Sequence, residues 1–201
     1  FDPGAYNVSG VSLDALYDSR DSTINPYRGI YARLSYVMNP TWLGSAQGSA
    51  LAFADLRAYL GLSDEVPRNV LAFWVMAKGQ TSGHLPYMAL PATGWDWRGP
   101  SGRGYVQGRF RGTAEAYAEA EWRFRITHNG FVGGVLFLNA ETFSTPRIDV
   151  AGFQQPPVNL FQYVKPAAGV GLRFMFNSAA RTNLNVDFAA GQDSFCVYLG
   201  A

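Results

Sequence analysis

The chain has 201 residues and a formal net charge of +1, long enough for one closed β architecture and too nearly neutral for the basic stripe that nucleic-acid binding needs. No apolar run approaches about 18 residues, which excludes a transmembrane helix, and no charged segment followed by an apolar core opens the chain, so no secretory signal peptide is read. Cys196 stands alone, excluding an internal disulfide framework, and reads as a small buried side chain; His84 and His128 sit apart in Gly-rich or turn-like surroundings, so neither a metal nor a cofactor is expected.

Nine segments bounded by Gly, Pro, Asn, Asp or Ser clusters read as strands: Val11 to Arg20, Gly29 to Met38, Ser49 to Leu60, Arg68 to Gly79, Thr113 to Ile126, Phe131 to Phe143, Ala167 to Phe176, Thr182 to Ala190 and Ser194 to Gly200. Their side chains alternate with period two. Gly29 to Met38 sets Ile30, Ala32, Leu34, Tyr36 and Met38 against Tyr31, Arg33 and Ser35, and Ser49 to Leu60 sets Leu56, Ala58 and Leu60 against Asp55, Arg57 and Tyr59. The fifth segment is the clearest, with Ala114, Ala116, Ala118, Ala120, Trp122, Phe124 and Ile126 on one face and Glu115, Tyr117, Glu119, Glu121, Arg123 and Arg125 on the other. No helical periodicity is found.

Connections alternate in length. Those after the second, fourth and sixth strands, Asn39 to Gly48, Gln80 to Gly112 and Ser144 to Pro166, include two very long loops, whereas those after the third, fifth and seventh are short. Long structureless loops are uncommon in compact soluble domains, while outer-membrane barrels collect long loops on one rim and short turns on the other. Alternation alone leaves open a soluble barrel with its apolar face inward. Three features favour the opposite orientation: interleaved charges of both signs on the polar face, aromatics near strand ends on the apolar face (Tyr36, Trp122, Phe124, Phe176), and the loop lengths. Lysine is confined to Lys78 and Lys165, the other basic residues being arginines, which suit paired, partly enclosed sites.

The expected fold is therefore an all-β antiparallel transmembrane β-barrel of eight to ten strands, with a polar lumen and an apolar lipid-facing exterior. Residues 1–10 form an N-terminal segment that threads the lumen, adds a short strand or is the remnant of a longer sheet, and residues 11–201 form the barrel domain. An odd strand count puts the termini on opposite rims, so a second chain is one way of supplying partners for the free edges.

Four stretches resemble the bacterial surface antigen family, the BamA-TamA outer-membrane assembly superfamily, in the C-terminal part of its barrel. They are Tyr17-Asp18-Ser19-Arg20-Asp21 with Asn25-Pro26-Tyr27-Arg28-Gly29, Arg103-Gly104-Tyr105 with Gly108-Arg109-Phe110-Arg111, Gly171-Leu172-Arg173-Phe174, and Asn183-Leu184-Asn185-Val186-Asp187. The resemblance implies that the loop 80–112 folds into the lumen and docks an Arg-Gly-aromatic tip, Arg103-Gly104-Tyr105, on an acidic motif of a following strand. The matching acidic position holds Asn139; Glu141, two residues on and on the same face, is the expected alternative partner of Arg103, and the carboxylates Glu115, Glu119 and Glu121 are expected to serve Arg109 or Arg111. It further implies a bacterial outer-membrane location and insertion or translocation of proteins, with nascent outer-membrane proteins and the lipid bilayer as partners. A compact anchor or narrow pore, as a monomer or a homo-oligomer, is the alternative. No catalytic residue is expected: His84 and the serines lack a Gly-x-Ser-x-Gly turn or another recognisable nucleophile setting.

Overall fold

The computed structural model describes residues 6–65, 68–96, 101–150, 153–178 and 180–200. Nine long segments pair antiparallel in the order β1(Val11–Asp18), β2(Gly29–Asn39), β3(Ser49–Gly61), β4(Val70–Gly83), β5(Ala114–Arg125), β6(Val132–Ser144), β9(Val164–Asn177), β10(Thr182–Gly191) and β11(Ser194–Gly200). A small separate hairpin, β7(Ile148–Val150) with β8(Phe153–Gln155), is folded within the loop between β6 and β9. Apart from two single turns of 3-10 helix, Thr41–Leu43 and Tyr87–Ala89, the described residues hold no helix.

All nine expected strands are present, most within a few residues of their expected ends. β4 runs on to Gly83 because Gln80, Ser82 and Gly83 keep the ladder to β3, with Thr81 at a bulge, although the polarity of this stretch ends the alternation, so the loop begins at residue 84. The hairpin β7–β8 is an addition to the sequence reading. Residues 1–5, Trp97 to Pro100 of the long loop and Ala201 lie outside the described residues. Of the N-terminal segment, Tyr6 to Gly10 is exposed and forms no strand. It runs beside the β2–β3 connection, where Ser45 Oγ donates to Ser9 O at 2.7 Å and Ala46 N donates to Asn7 O at 2.9 Å.

The expected antiparallel all-β sheet is present, and its two edge strands do not pair with each other. Among the described residues, β1 and β11 each pair on one side only, and the sheet is open. An antiparallel meander of nine strands leaves its first and last strands pointing the same way, so they cannot meet as the antiparallel neighbours that the rest of the ladder uses.

The sheet curls about its polar face. Arg181 in the β9–β10 turn reaches Asp21 in the β1–β2 connection at 2.6 Å, and Arg68 before β4 donates to Asn183 of β10 at 2.9 Å. On the inner side, Met76, Glu115, Tyr117, Val135, Asn139 and Glu141 are almost wholly buried. On the outer side, Leu34, Leu56, Val75, Leu138, Val170, Phe188 and Leu199 are exposed. The ordinary arrangement is thus inverted: charges are enclosed and aliphatic side chains face out. Burial of one such side chain is worth about 1.5–3 kcal/mol, so an exposed apolar face this extensive marks an interaction surface. Cys196, expected to be buried, is half-buried because β11 is an edge strand.

Candidate functional site: a loop docked on an enclosed charge cluster

The loop between β4 and β5 returns across the polar face as a pinned arch. Its two limbs are tied by the antiparallel bridge Ala92–Arg111, by Thr93 N donating to Phe110 O at 3.0 Å and by Gly108 N donating to Thr93 O at 2.8 Å. The tip, Ser101 to Tyr105, is buried against β5, β6, β9 and β10.

Arg103 is the centre of the contact. Its guanidinium lies 2.8 Å from Glu119, 2.6 Å from Glu121 and 3.3 Å from Asp187, and stacks over the ring of Phe137 at 3.6 Å. Tyr117 Oη donates to Glu119 at 2.7 Å, Arg123 pairs with Glu121 at 2.6 Å, and Arg173 pairs with Asp187. Three guanidinium groups therefore meet three carboxylates, a neutral set in which each charge has a directional partner. Such satisfaction is what permits charges to stay enclosed, since removing one member leaves an uncompensated buried ion.

Glycine makes the close approach possible. Gly104 has φ +110°, and a Cβ there would lie 2.7 Å from Ala167 Cβ and 3.1 Å from the backbone of Ala190. Tyr105 fills the slot that Gly191 leaves open, where a Cβ would come within 2.4 Å of its ring. The Tyr105 hydroxyl donates to Pro166 O at 2.7 Å and accepts from Gln192 N at 3.0 Å, while Gly104 N donates to Tyr198 Oη at 3.0 Å. The tip thus spans β5 to β11.

Several expected partners are reassigned. Asn139 does meet the tip, but through the backbone: its Nδ2 donates to Arg103 O at 2.9 Å. Glu141 does not receive Arg103; it accepts from Thr93 Oγ1 at 3.1 Å and lies under Gly102. Glu115 takes Lys78 at 3.1 Å, which also holds Asp96 at 2.8 Å. Glu119 and Glu121 serve Arg103 and Arg123 rather than Arg109 or Arg111. Arg109 instead donates to Asp193 O at 3.3 Å, and Arg111 to Tyr87 O at 2.8 Å, because both lie on the outer limb of the arch beyond reach of the β5 carboxylates. Sequence reasoning missed Asp187, Arg123 and Arg173 as members of the cluster, and Tyr198 and Gly191 as the seat of Tyr105.

Beneath the cluster, towards the short-turn rim, lies a cavity of about 400 Å³ lined mostly by inner-face residues of β3 to β6 and β9 to β11, by Arg68 and Arg181 beside the strand ends and by Ile24, Asn25 and Tyr27 of the β1–β2 connection. That connection folds in over the rim: Asn25 accepts from Arg123 at 3.3 Å and Asp21 pairs with Arg181. Burial pushes the Asp21 carboxyl up, but Arg181 and the amides of Tyr27 and Arg28 outweigh it and hold the group below the usual carboxylate range.

The geometry defines an antiparallel β protein with enclosed charges, an outward apolar face and a polar loop seated on the inner wall. A family model described as the Omp85 superfamily domain matches residues 2–193, and the chain belongs to that superfamily, in keeping with its surface-antigen motifs. No curated protein matches the chain.

Proposed function

We propose that the chain is an outer-membrane β-barrel domain of the Omp85 type, resident in the bacterial outer membrane, whose task is insertion or translocation of proteins without covalent chemistry. Membership of a superfamily that handles outer-membrane proteins supports the coarse part of this reading. The observation that carries the finer part is the pair of free edges, β1 and β11, on a sheet whose outer face is apolar. Backbone amides and carbonyls at such edges have no partner in hydrocarbon, so they favour an added strand, and a client strand supplies one by β-augmentation. Strands β2 to β6 and β9, with 11 to 14 residues each, meet or exceed the roughly 9–11 that a tilted strand needs to cross a bilayer.

The alternative, a small anchor or narrow pore that pairs with a second copy, draws on a different feature: the docked arch fills part of the inner space, leaving little room for open diffusion. The two readings part at the β11 edge. With Cys196→Ser as background, Val197→Cys is expected to form a disulfide with a cysteine placed in the terminal strand of an unfolded outer-membrane protein during reconstitution. Trapping only a second copy of this chain, or nothing, with the sheet folded, contradicts the insertion role.

A further inference from the structure

The cavity under the charge cluster has an imbalance that the docked loop does not explain. Six guanidinium groups line it, from Arg57, Arg68, Arg103, Arg123, Arg173 and Arg181, against three carboxylates, Glu119, Glu121 and Asp187. Arg103, Arg123 and Arg173 are matched by those three acids. Arg57 is matched by Asp55 at 3.0 Å and Arg181 by Asp21 at 2.6 Å, two carboxylates outside the cavity lining. Arg68 is left. Its Nη1 donates to Gly130 O and its Nη2 to Asn183 Oδ1 at 2.9 Å; among the described residues it meets no carboxylate.

Its surroundings favour an anion. A guanidinium has five N–H donors, and the two bonds to neutral acceptors leave others for a ligand. The side-chain amides of Asn183 and Asn185 line the same cavity, and among the described residues neither donates a hydrogen bond to protein. Arg125, also without a carboxylate among the described residues, runs its stem past Gly130 beside Arg68 and adds to the positive field. The acids facing the cavity are each held by arginine or by Tyr117 and so do not compete for Arg68. The two contacts to Gly130 and Asn183 fix the guanidinium plane, which is the preorganisation that bidentate recognition of an oxyanion requires.

We propose that this cavity is an oxyanion site, anchored by Arg68 and completed by the amides of Asn183 and Asn185. Its ligand class is a carboxylate or phosphate. The chain terminus of an extended polypeptide and a free inorganic anion are the two sources of that chemistry. The site goes beyond the insertion role and does not depend on it.

Calorimetric titration of the detergent-solubilised chain at constant ionic strength, balanced with chloride, tests the proposal. Inorganic phosphate, a short peptide with a free C-terminal carboxylate and the same peptide amidated are the probes. Saturable binding of phosphate, or of the free-acid peptide but not the amide, is expected, and which of them binds identifies the source. Arg68→Gln should weaken binding roughly tenfold or more, as loss of a charged hydrogen-bond donor does. Asn185→Asp sets a carboxylate inside the cavity without touching Arg68 and should abolish binding; it decides the matter if Arg68→Gln fails to fold. Absence of saturable binding to every probe overturns the proposal, as does binding undiminished in a folded variant.

Discussion

Arg103→Ala is expected to release the arch between β4 and β5 and to lower stability by about 3–5 kcal/mol, the usual cost of removing one partner from an enclosed ion set. Glu119 loses its guanidinium altogether, and Glu121 and Asp187 retain one each, so three carboxylates face two arginines across a narrow space. The aromatic face of Phe137 also loses the cation stacked on it. Protease added to the folded protein should then cut within the segment 101–112 while sparing it in the unsubstituted chain, and thermal unfolding in detergent should move down. Arg103→Lys should recover little, because a compact ammonium serves as a point charge where the guanidinium fork reaches Glu119, Glu121 and Asp187 together. Arg109→Ala is the internal contrast: that side chain holds one carbonyl at 3.3 Å and lies against aromatic rings, so its removal should leave the arch protected. Equal protease sensitivity of the two variants contradicts the assignment.

Gly104→Ala is expected to act through geometry instead of charge. At φ +110° an L residue is strained by on the order of 1–3 kcal/mol, and the added methyl would stand 2.7 Å from Ala167 Cβ and 3.1 Å from the Ala190 backbone, both parts of paired strands that cannot swing away. Overpacking adds a comparable penalty, so the tip should lift and carry Tyr105 out of the Gly191 slot. A drop in the detergent unfolding midpoint, together with protease cleavage in segment 101–112, checks this. Gly108→Ala has positive φ as well, but meets only the far end of Arg111 at 3.8 Å, and should leave the tip seated. A midpoint unchanged in Gly104→Ala would mean that the tip does not pack as closely as its glycine demands.

Strand positions were readable because a two-residue period is local: each strand's alternation in the sequence matches the faces seen in the sheet, as Glu115, Tyr117 and Glu121 on the inner side of β5 and Trp122 on its outer side illustrate. The free edges were readable only from the strand count: an odd number directs the ninth strand the same way as the first, whereas nothing in the two-residue period says what covers them. The destination of Arg103 was only half legible. The strand register points to Glu141 on β6, whereas the loop arches far enough to place the guanidinium between β5 and β10, strands brought face to face only by curvature. One signal was present: Asp187 is the lone acid of its strand and falls on the same side as Asn183 and Asn185. The in-folded β1–β2 connection was invisible for a similar reason. Asp21 and Arg181 lie 160 residues apart, and no local pattern announces their pairing.

Glycine positions divide in the same way. Gly29 and Gly130 lie at or beside strand ends by turn chemistry and fall at expected boundaries, whereas Gly83 ends β4 four residues beyond its expected end. Gly171 and Gly191 lie inside or at the end of strands and have another role: a Cβ at Gly171 would overlap the Asp187 carboxylate, and one at Gly191 the Tyr105 ring. Small residues on the inner face of β9 and β10 are therefore the moulds into which the charge cluster and the loop tip are cast, a function that composition alone does not distinguish from a turn.

The tryptophans supply the measurement that decides whether the apolar face of the sheet meets lipid. Trp122 is 43% exposed on the apolar side of β5, whereas Trp74, its near neighbour on β4, is 9% exposed on the polar side beneath Arg57. In vesicles of lipids brominated on the acyl chains, a variant retaining only Trp122 should be strongly quenched and one retaining only Trp74 should keep its emission. Quenching of Trp74 with Trp122 unaffected would contradict the inverted arrangement.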